Sequence, residues 1–189
     1  MQKQDLERFV DNKNDDNNPD ISIEFLFGEV NNNVAEDLCK WILMSNFSDN
    51  PPKLLNLLIN SEGGSLSDAF AIIDVMNSSL IPIRTVGLGQ IQSAGLMIFL
   101  AGTKGQRVLT PNTCIMSHQY HWGSSGKHHE LIAAQKEFGM TFGRQLKHYI
   151  DTTGLDEKTV KKYLLPPEDI FLSAQDALKY GICDHIALV

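Results

Sequence analysis

No uninterrupted apolar run in this chain approaches the ~20 residues that a membrane span requires, although 42% of its 189 residues are hydrophobic. A basic excess is missing too. The 16 Lys and Arg are outnumbered by 23 Asp and Glu, giving a net charge of −7, and phosphate binding needs a basic footprint. Nucleic acid is therefore excluded as the main partner, and a membrane is excluded with it. Cysteine is scarce. Cys39, Cys114 and Cys183 form an odd, widely spaced set, which argues against a disulfide framework and for a reducing compartment. The opening residues Met1–Leu6 carry no charged region leading into an apolar stretch, so no secretory signal is expected and the setting reads as cytoplasmic. The length suits one domain with one sizeable core, and no internal repeat is visible.

What is present falls into two parts. Residues 11–20 contain only Asp, Asn, Lys and Pro. Such a segment cannot bury enough apolar surface to order itself, so residues 1–20 read as a mobile polar arm, in which Leu6, Phe9 and Val10 form a short anchor that folds on a partner. From Ile21 onward the chain reads as a single domain, residues 21–189. Ile21, Ile23, Phe25 and Phe27 alternate as in a strand closed by Gly28. Val34, Leu38, Trp41 and Ile42 recur at helical spacing. Lys53–Asn60 is a mostly apolar run, as in a strand buried on both faces of a parallel sheet. A helix is expected over Leu66–Leu80, a strand over Ile83–Val86 and a helix apolar nearly all round over Ala94–Ala101. Two short strands, Arg107–Leu109 and Cys114–Met116, flank a Pro111-Asn112 turn. A long helix over about 128–150 follows, then a shorter one from Asp156 to Leu164. Ser173 with Asp176 has capping-box spacing, and Gly181 stands where a helix end favours a left-handed residue. Alternating strands and helices imply an α/β fold with a mainly parallel sheet.

The chemistry gathers around Ser93, set among glycines in Gly87-Leu88-Gly89-Gln90-Ile91-Gln92-Ser93-Ala94-Gly95. A serine before a helix most often just caps it. At that helix N-terminus, however, its hydroxyl is also placed to attack a carbonyl, with the N–H of Ala94 facing the resulting oxyanion. The run is not the nucleophile elbow of α/β-hydrolases, which needs glycine where Ile91 stands. His118 follows an apolar strand and is the natural base. His128 and His129 look solvated, His148 lies in a polar helical stretch, and His185 is close to the C-terminus. The spacing Cys114-x3-His118-x2-His121 permits a metal ion but lacks a second close ligand pair, so no metal and no cofactor are expected. Gly63-Gly64, between strand and helix, reads either as a tight turn or as a second oxyanion donor. In the latter reading the N–H of Gly64 joins that of Ala94, and glycine is needed because a Cβ would crowd the substrate carbonyl. A third group must orient the imidazole. Asp151, Asp156, Asp169, Asp176 and Asp184 all qualify, and Asp169 sits on a loop, where catalytic groups are more often found.

Five segments in this order resemble the ClpP family of self-compartmentalised serine peptidases: residues 60–64 (NSEGG), 89–95 (GQIQSAG), 116–119 (MSHQ), 169–174 (DIFLSA) and 177–184 (ALKYGICD). The resemblance covers residues 21–188. It implies a crotonase/ClpP-like fold of repeated ββα units with a projecting helical handle, assigned to 128–150. By position it makes Ser93 the nucleophile, His118 the base and Asp169 the orienting carboxylate, with Gly64 and Ala94 supplying the oxyanion N–H groups. The resemblance implies seven-membered rings, single or stacked in pairs as a fourteen-subunit particle. They would cleave unfolded polypeptides with an AAA+ unfoldase as feeder. An extended substrate is expected to add as a strand between Gly64–Leu66 and Tyr120–Trp122, touching Ser65, Leu66, Tyr120, His121 and Trp122, in an S1 pocket with a mild apolar preference.

The chain departs from the family pattern at Glu62 and Tyr120, which replace prolines. It departs again at residues 55–59 (LNLLI), where the family normally carries tyrosines that help receive an unfoldase loop, and at Glu168, which replaces a ring-joining arginine. These changes mark a divergent member, viral or accessory. They also motivate a second reading, a weakly active or inactive structural or regulatory subunit co-assembling with another ClpP-like chain. A CoA-binding enzyme of the crotonase group would share the fold but would not need a Ser–His pair at these spacings.

Overall fold

Alternating apolar residues from Ile21 build β1 (Ile21–Val30), the first strand of the computed structural model, which describes residues 20–188. The expected arm lies outside the described residues except for Asp20, which accepts the N–H groups of Lys53 and Leu54. Helix α1 (Asn32–Asn46) follows, capped by Asn31. Then come β2 (Leu54–Gly64), α2 (Leu66–Ser78), β3 (Ile83–Gln92) and α3 (Ser93–Leu100). Strands β4 (Arg107–Leu109) and β5 (Cys114–Ser117) lead to the long helix α4 (His128–Thr153). Helix α5 (Glu157–Tyr163), β6 (Ile170–Leu172), α6 (Ala174–Lys179) and β7 (His185–Ile186) complete the order.

The strands form one sheet in the order β1-β2-β3-β4-β7, with β5 beside β3 and β6 beside β5. Among the described residues every pair is parallel except β5–β6. β3 carries two neighbours on one edge. Its first half (Thr85–Gly87) pairs β4 and its second half (Gln90–Gln92) pairs β5. This split brings the end of β3 beside the end of β5, and so brings Ser93 towards His118.

Three strands outrun their sequence signals. Gly28 does not close β1; a register shift between Phe27 and Glu29 carries the strand on to pair Val30 with Gly64. Gly63 and Gly64 are accordingly the end of β2 rather than a turn after it. The glycine-rich run Gly87–Gln92, which periodicity leaves outside any strand, is the second half of β3. Backbone pairing to β2 and β5 holds this run in the sheet, around an irregularity at Gly89, whose φ of +59° favours glycine.

Helix α3 lies in the centre of the core. Ala94 to Leu100 are all buried, and Leu96, Met97, Ile98 and Phe99 are 0% exposed. Burying side chains of this size contributes roughly 1.5–3 kcal/mol each, so the helix is held rigidly. A buried ion pair closes the far edge of the sheet. Arg107 donates to Asp184 from Nε at 3.0 Å and from Nη2 at 2.6 Å, and reaches the Thr152 carbonyl at 3.0 Å. Burial pushes the Asp184 carboxyl up, but its bonds from Arg107 and from the Gly105 N–H outweigh this and hold it below its ordinary value. The other sheet face is open at β1, where Ile23, Phe25 and Phe27 are 54–55% exposed.

Candidate active site

Ser93 is where β3 becomes α3 without an intervening loop. The change of direction falls on one residue, and Ser93 takes φ 50°. It is the one non-glycine residue with positive φ among the described residues. A side chain held there costs of order 1–3 kcal/mol, which the surrounding packing must impose. Ser93 is not the helix cap. Gln92 occupies that position and its side chain makes no capping bond. The first N–H groups of α3, including that of Ala94, are therefore left without a side-chain acceptor.

His118 emerges from the end of β5, its ring 18% exposed. Its Nε2 lies 2.7 Å from Ser93 Oγ, and its Nδ1 lies 3.3 Å from Asp169 Oδ1. A carboxylate only accepts, so Nδ1 carries the proton and Nε2 accepts from the serine hydroxyl. Asp169 stands just before β6, and antiparallel pairing of β6 with β5 (Ser117↔Ile170) delivers it to the imidazole. Of the five aspartates left open by the sequence, Asp184 is bound to Arg107, Asp156 caps α5 by accepting the Thr159 N–H, and the Asp176 carboxylate accepts the N–H of Ser173, the cap of α6. Asp151 pairs with Lys147.

The glycine pair packs closely against both neighbours. A Cβ on Gly63 would stand 2.7 Å from Ser93 Cβ. One on Gly64 would stand 2.3 Å from the Val30 carbonyl oxygen. The packing of β1 against Gly64 is thus a reason for glycine there that the sequence reading did not anticipate. The N–H of Gly63 is taken by Ser61 Oγ at 3.0 Å and that of Ser65 by Val30 at 2.8 Å. Gly64, between them, lines a cleft of about 330 Å³ together with Ser93, Ala94 and His118.

Ser65, Leu66, Tyr120 and His121 also line that cleft. The Trp122 side chain packs instead on Phe138 of α4, with ring centroids 5.2 Å apart. Several lining residues were not anticipated. Phe70 and Met97 give apolar wall, while Glu137, Thr141, Arg144 and Gln145 come from α4. Arg144 sits 4.7 Å over the Phe70 ring and donates to Thr141 Oγ1 at 2.8 Å. Thr141 Oγ1 in turn donates to Glu137 at 2.6 Å.

A signal for the α4 wall existed. Thr141, Gln145 and Tyr149 recur every four residues and form the buried stripe of the helix. Below it, Ser117 Oγ donates to the Leu164 carbonyl at 2.5 Å, so the Tyr149 hydroxyl must donate to Ser117 at 2.8 Å. Burial, opposed by that bond, pushes the Tyr149 phenol up to about 12 and keeps it a donor. His148, expected in a polar stretch, faces the core instead and bonds the Met97 carbonyl at 2.8 Å.

A hydroxyl paired with an imidazole at the mouth of a cleft is the arrangement of hydrolases that work through a covalent acyl-enzyme. The Clp protease family model matches residues 19–188. The ATP-dependent Clp protease proteolytic subunit 2 of Nocardia farcinica is 35% identical over 165 residues, covering 87% of this chain and 79% of that protein. Subunit 1 from Corynebacterium jeikeium is 33% identical over 164 residues, covering 87% and 86%. A mutant of ClpP1 from Listeria monocytogenes superposes with a TM-score of 0.76 at 29% identity, covering 88% of this chain and 91% of that one. This chain belongs to the Clp protease family, and its fold is the ClpP-like α/β fold.

Proposed function

We propose that the chain is a serine endopeptidase that cleaves unfolded polypeptides or peptides inside a ring-shaped oligomer. The observation that carries this reading is the 2.7 Å contact between Ser93 Oγ and His118 Nε2, made at the strained residue that starts α3. As Oγ attacks the scissile carbonyl, its proton passes to Nε2. The oxyanion forms towards the N–H groups of Gly64 and Ala94, and Asp169 stabilises the imidazolium. His118 then protonates the leaving amine, and water, deprotonated by the same imidazole, releases the acyl group. The Tyr120 N–H is engaged by Gln145 Oε1 at 3.4 Å, so backbone pairing with an extended substrate falls to His121 on this side and to Ser65–Leu66 on the other. Phe70, half-buried in the cleft wall, offers an apolar P1 side chain its surface.

Ring assembly is supported by the exposed apolar residues of β1 and by Met44, Phe47 and Leu80, which are 73%, 84% and 90% exposed. The unfoldase partner is supported by the relatives' printed description as ATP-dependent. Those relatives are also named as numbered subunits, which favours the second reading of a mixed ring. In that reading this chain contributes structure and little cleavage.

Substitution Ser93→Ala tests the main reading. It is expected to abolish fluorophosphonate labelling and to lower cleavage of a short fluorogenic peptide by roughly 10⁴-fold or more. Full labelling of the variant would remove Ser93 from the mechanism. No labelling of the wild-type chain, alone or in a mixed ring, would favour the structural subunit.

A further inference from the structure

The two halves of the Ser93–His118 pair are held very differently. Ser93 begins a helix whose remaining residues are all buried, so the core fixes its hydroxyl. His118 stands where the chain leaves β5, and residues 118–127 belong to no helix or strand. On its side-chain end the imidazole has Asp169, which is 60% exposed and 3.3 Å away. Neither feature fixes the ring to a few tenths of an ångström.

The backbone at His118 is gripped from the opposite direction. Gln145, 3% exposed, donates from Nε2 to the His118 carbonyl at 3.0 Å and accepts the Tyr120 N–H on Oε1 at 3.4 Å. A neutral amide offers a donor and an acceptor from one rigid plane, and here both are used. Burying an amide is costly unless it is bonded, so its presence in the buried stripe of α4 calls for a geometric role. The same stripe holds Ser117 through Tyr149, and the adjoining His148 holds Met97 of α3. α4 therefore bridges the element that carries the serine and the one that carries the histidine.

We propose that Gln145 is a positioning residue for the reaction. Its amide sets the backbone at His118, and through it the approach of the imidazole to Ser93 Oγ. The inference rests on the serine-peptidase reading above. Displacing a reacting group by about 1 Å can lower a rate by about 10²-fold, so the tie is large enough to matter without touching substrate.

Gln145→Met keeps the length and volume of the side chain and removes both bonds. Gln145→Glu keeps an acceptor for the Tyr120 N–H and loses the donor to His118. Both variants are expected to slow fluorophosphonate labelling of Ser93 and to lower kcat on a short peptide by about 10–100-fold. The two losses are expected to match, with KM little changed, because labelling reports the Ser–His pair and not peptide binding. Thermal unfolding checks that each variant is folded at the assay temperature, and if Gln145→Met does not fold, Gln145→Glu carries the test. Wild-type labelling rates in the folded variants overturn the positioning role and leave the peptidase reading intact. A loss confined to KM overturns it too, since the amide would then act through Tyr120 on substrate. A wild-type chain that neither labels nor cleaves overturns the peptidase reading and the inference together.

Discussion

His118 Nδ1 and Asp169 Oδ1 stand 3.3 Å apart, a looser contact than the 2.7 Å between His118 Nε2 and Ser93 Oγ. The difference follows from surroundings. Ser93 is fixed by the core, whereas Asp169 is 60% exposed at the head of a three-residue strand.

This asymmetry predicts graded losses. Asp169→Asn removes the charge proposed to stabilise the imidazolium, from a side chain that is 60% exposed. Its kcat is expected to fall by about 10²–10³-fold, less than for Ser93→Ala. Steady-state kinetics on one peptide decides the matter. Equal losses would mean that the carboxylate is as integral as the nucleophile, and no loss would remove Asp169 from the site.

Gly63 should tolerate no side chain. A Cβ there meets Ser93 Cβ at 2.7 Å and the Gln92 carbonyl oxygen at 2.9 Å, at a φ of +99° that L residues rarely adopt. Gly63→Ala is expected to destabilise the fold by about 2–4 kcal/mol and to slow labelling of Ser93. Urea unfolding and labelling kinetics measure the two effects. An alanine variant with unchanged stability would show that the β2 end and the start of α3 are not in contact.

His148 predicts a dependence of stability on pH. Burial pushes its pKa below the ordinary value, outweighing the Met97 carbonyl and Asp151 that act the other way. The unfolded chain takes up a proton at this residue near pH 6.5, where the folded chain still resists it. Stability contributed by the neutral ring is thus complete well above about pH 6.5 and is lost as pH falls towards the folded pKa. Gln at this position keeps a donor for Met97 and cannot titrate. Between about pH 7.5 and about pH 5.5 the wild type is expected to lose more unfolding free energy than His148→Gln, and parallel losses would assign the pH effect elsewhere.

Glu168 bears on assembly. It is exposed beside Asp169, so each copy brings two adjacent carboxylates to the proposed junction between rings. We expect heptamers that pair weakly, with pairing and activity rising as salt screens the repulsion. Mass measurement at low and high salt checks this, and Glu168→Arg is expected to strengthen pairing. A fourteen-subunit particle indifferent to salt would refute weak pairing, and a monomer in all conditions would refute the ring.

Much of the architecture was legible because it is written in local periodicity. The helix expected over about 128–150 spans His128–Thr153, and the expected capping box of Ser173 and Asp176 closes with both reciprocal bonds. The short strands around Pro111-Asn112 stand as Arg107–Leu109 and Cys114–Ser117. Gly87–Gln92 and Gly63–Gly64 were not legible as strand, since Gly63, Gly64 and Gly89 have positive φ and only pairing with neighbouring strands keeps these runs in the sheet.

Residue types and their chain order by themselves determined an α/β chain with a hydroxyl, an imidazole and glycines near helix and strand ends. Periodicity and spacing left five aspartates open and only the family resemblance singled out Asp169; in the tertiary structure β6 folds back antiparallel on β5 and brings it to His118. Tertiary structure alone decided that Gln145, ordinary in a helical stretch, turns inward to the His118 backbone, and that His148 leaves solvent for Met97. Periodicity shows which face of a helix is buried, but the partner of a buried polar group depends on segments distant in the chain. Only the packed sheet and helices bring those segments within hydrogen-bonding distance.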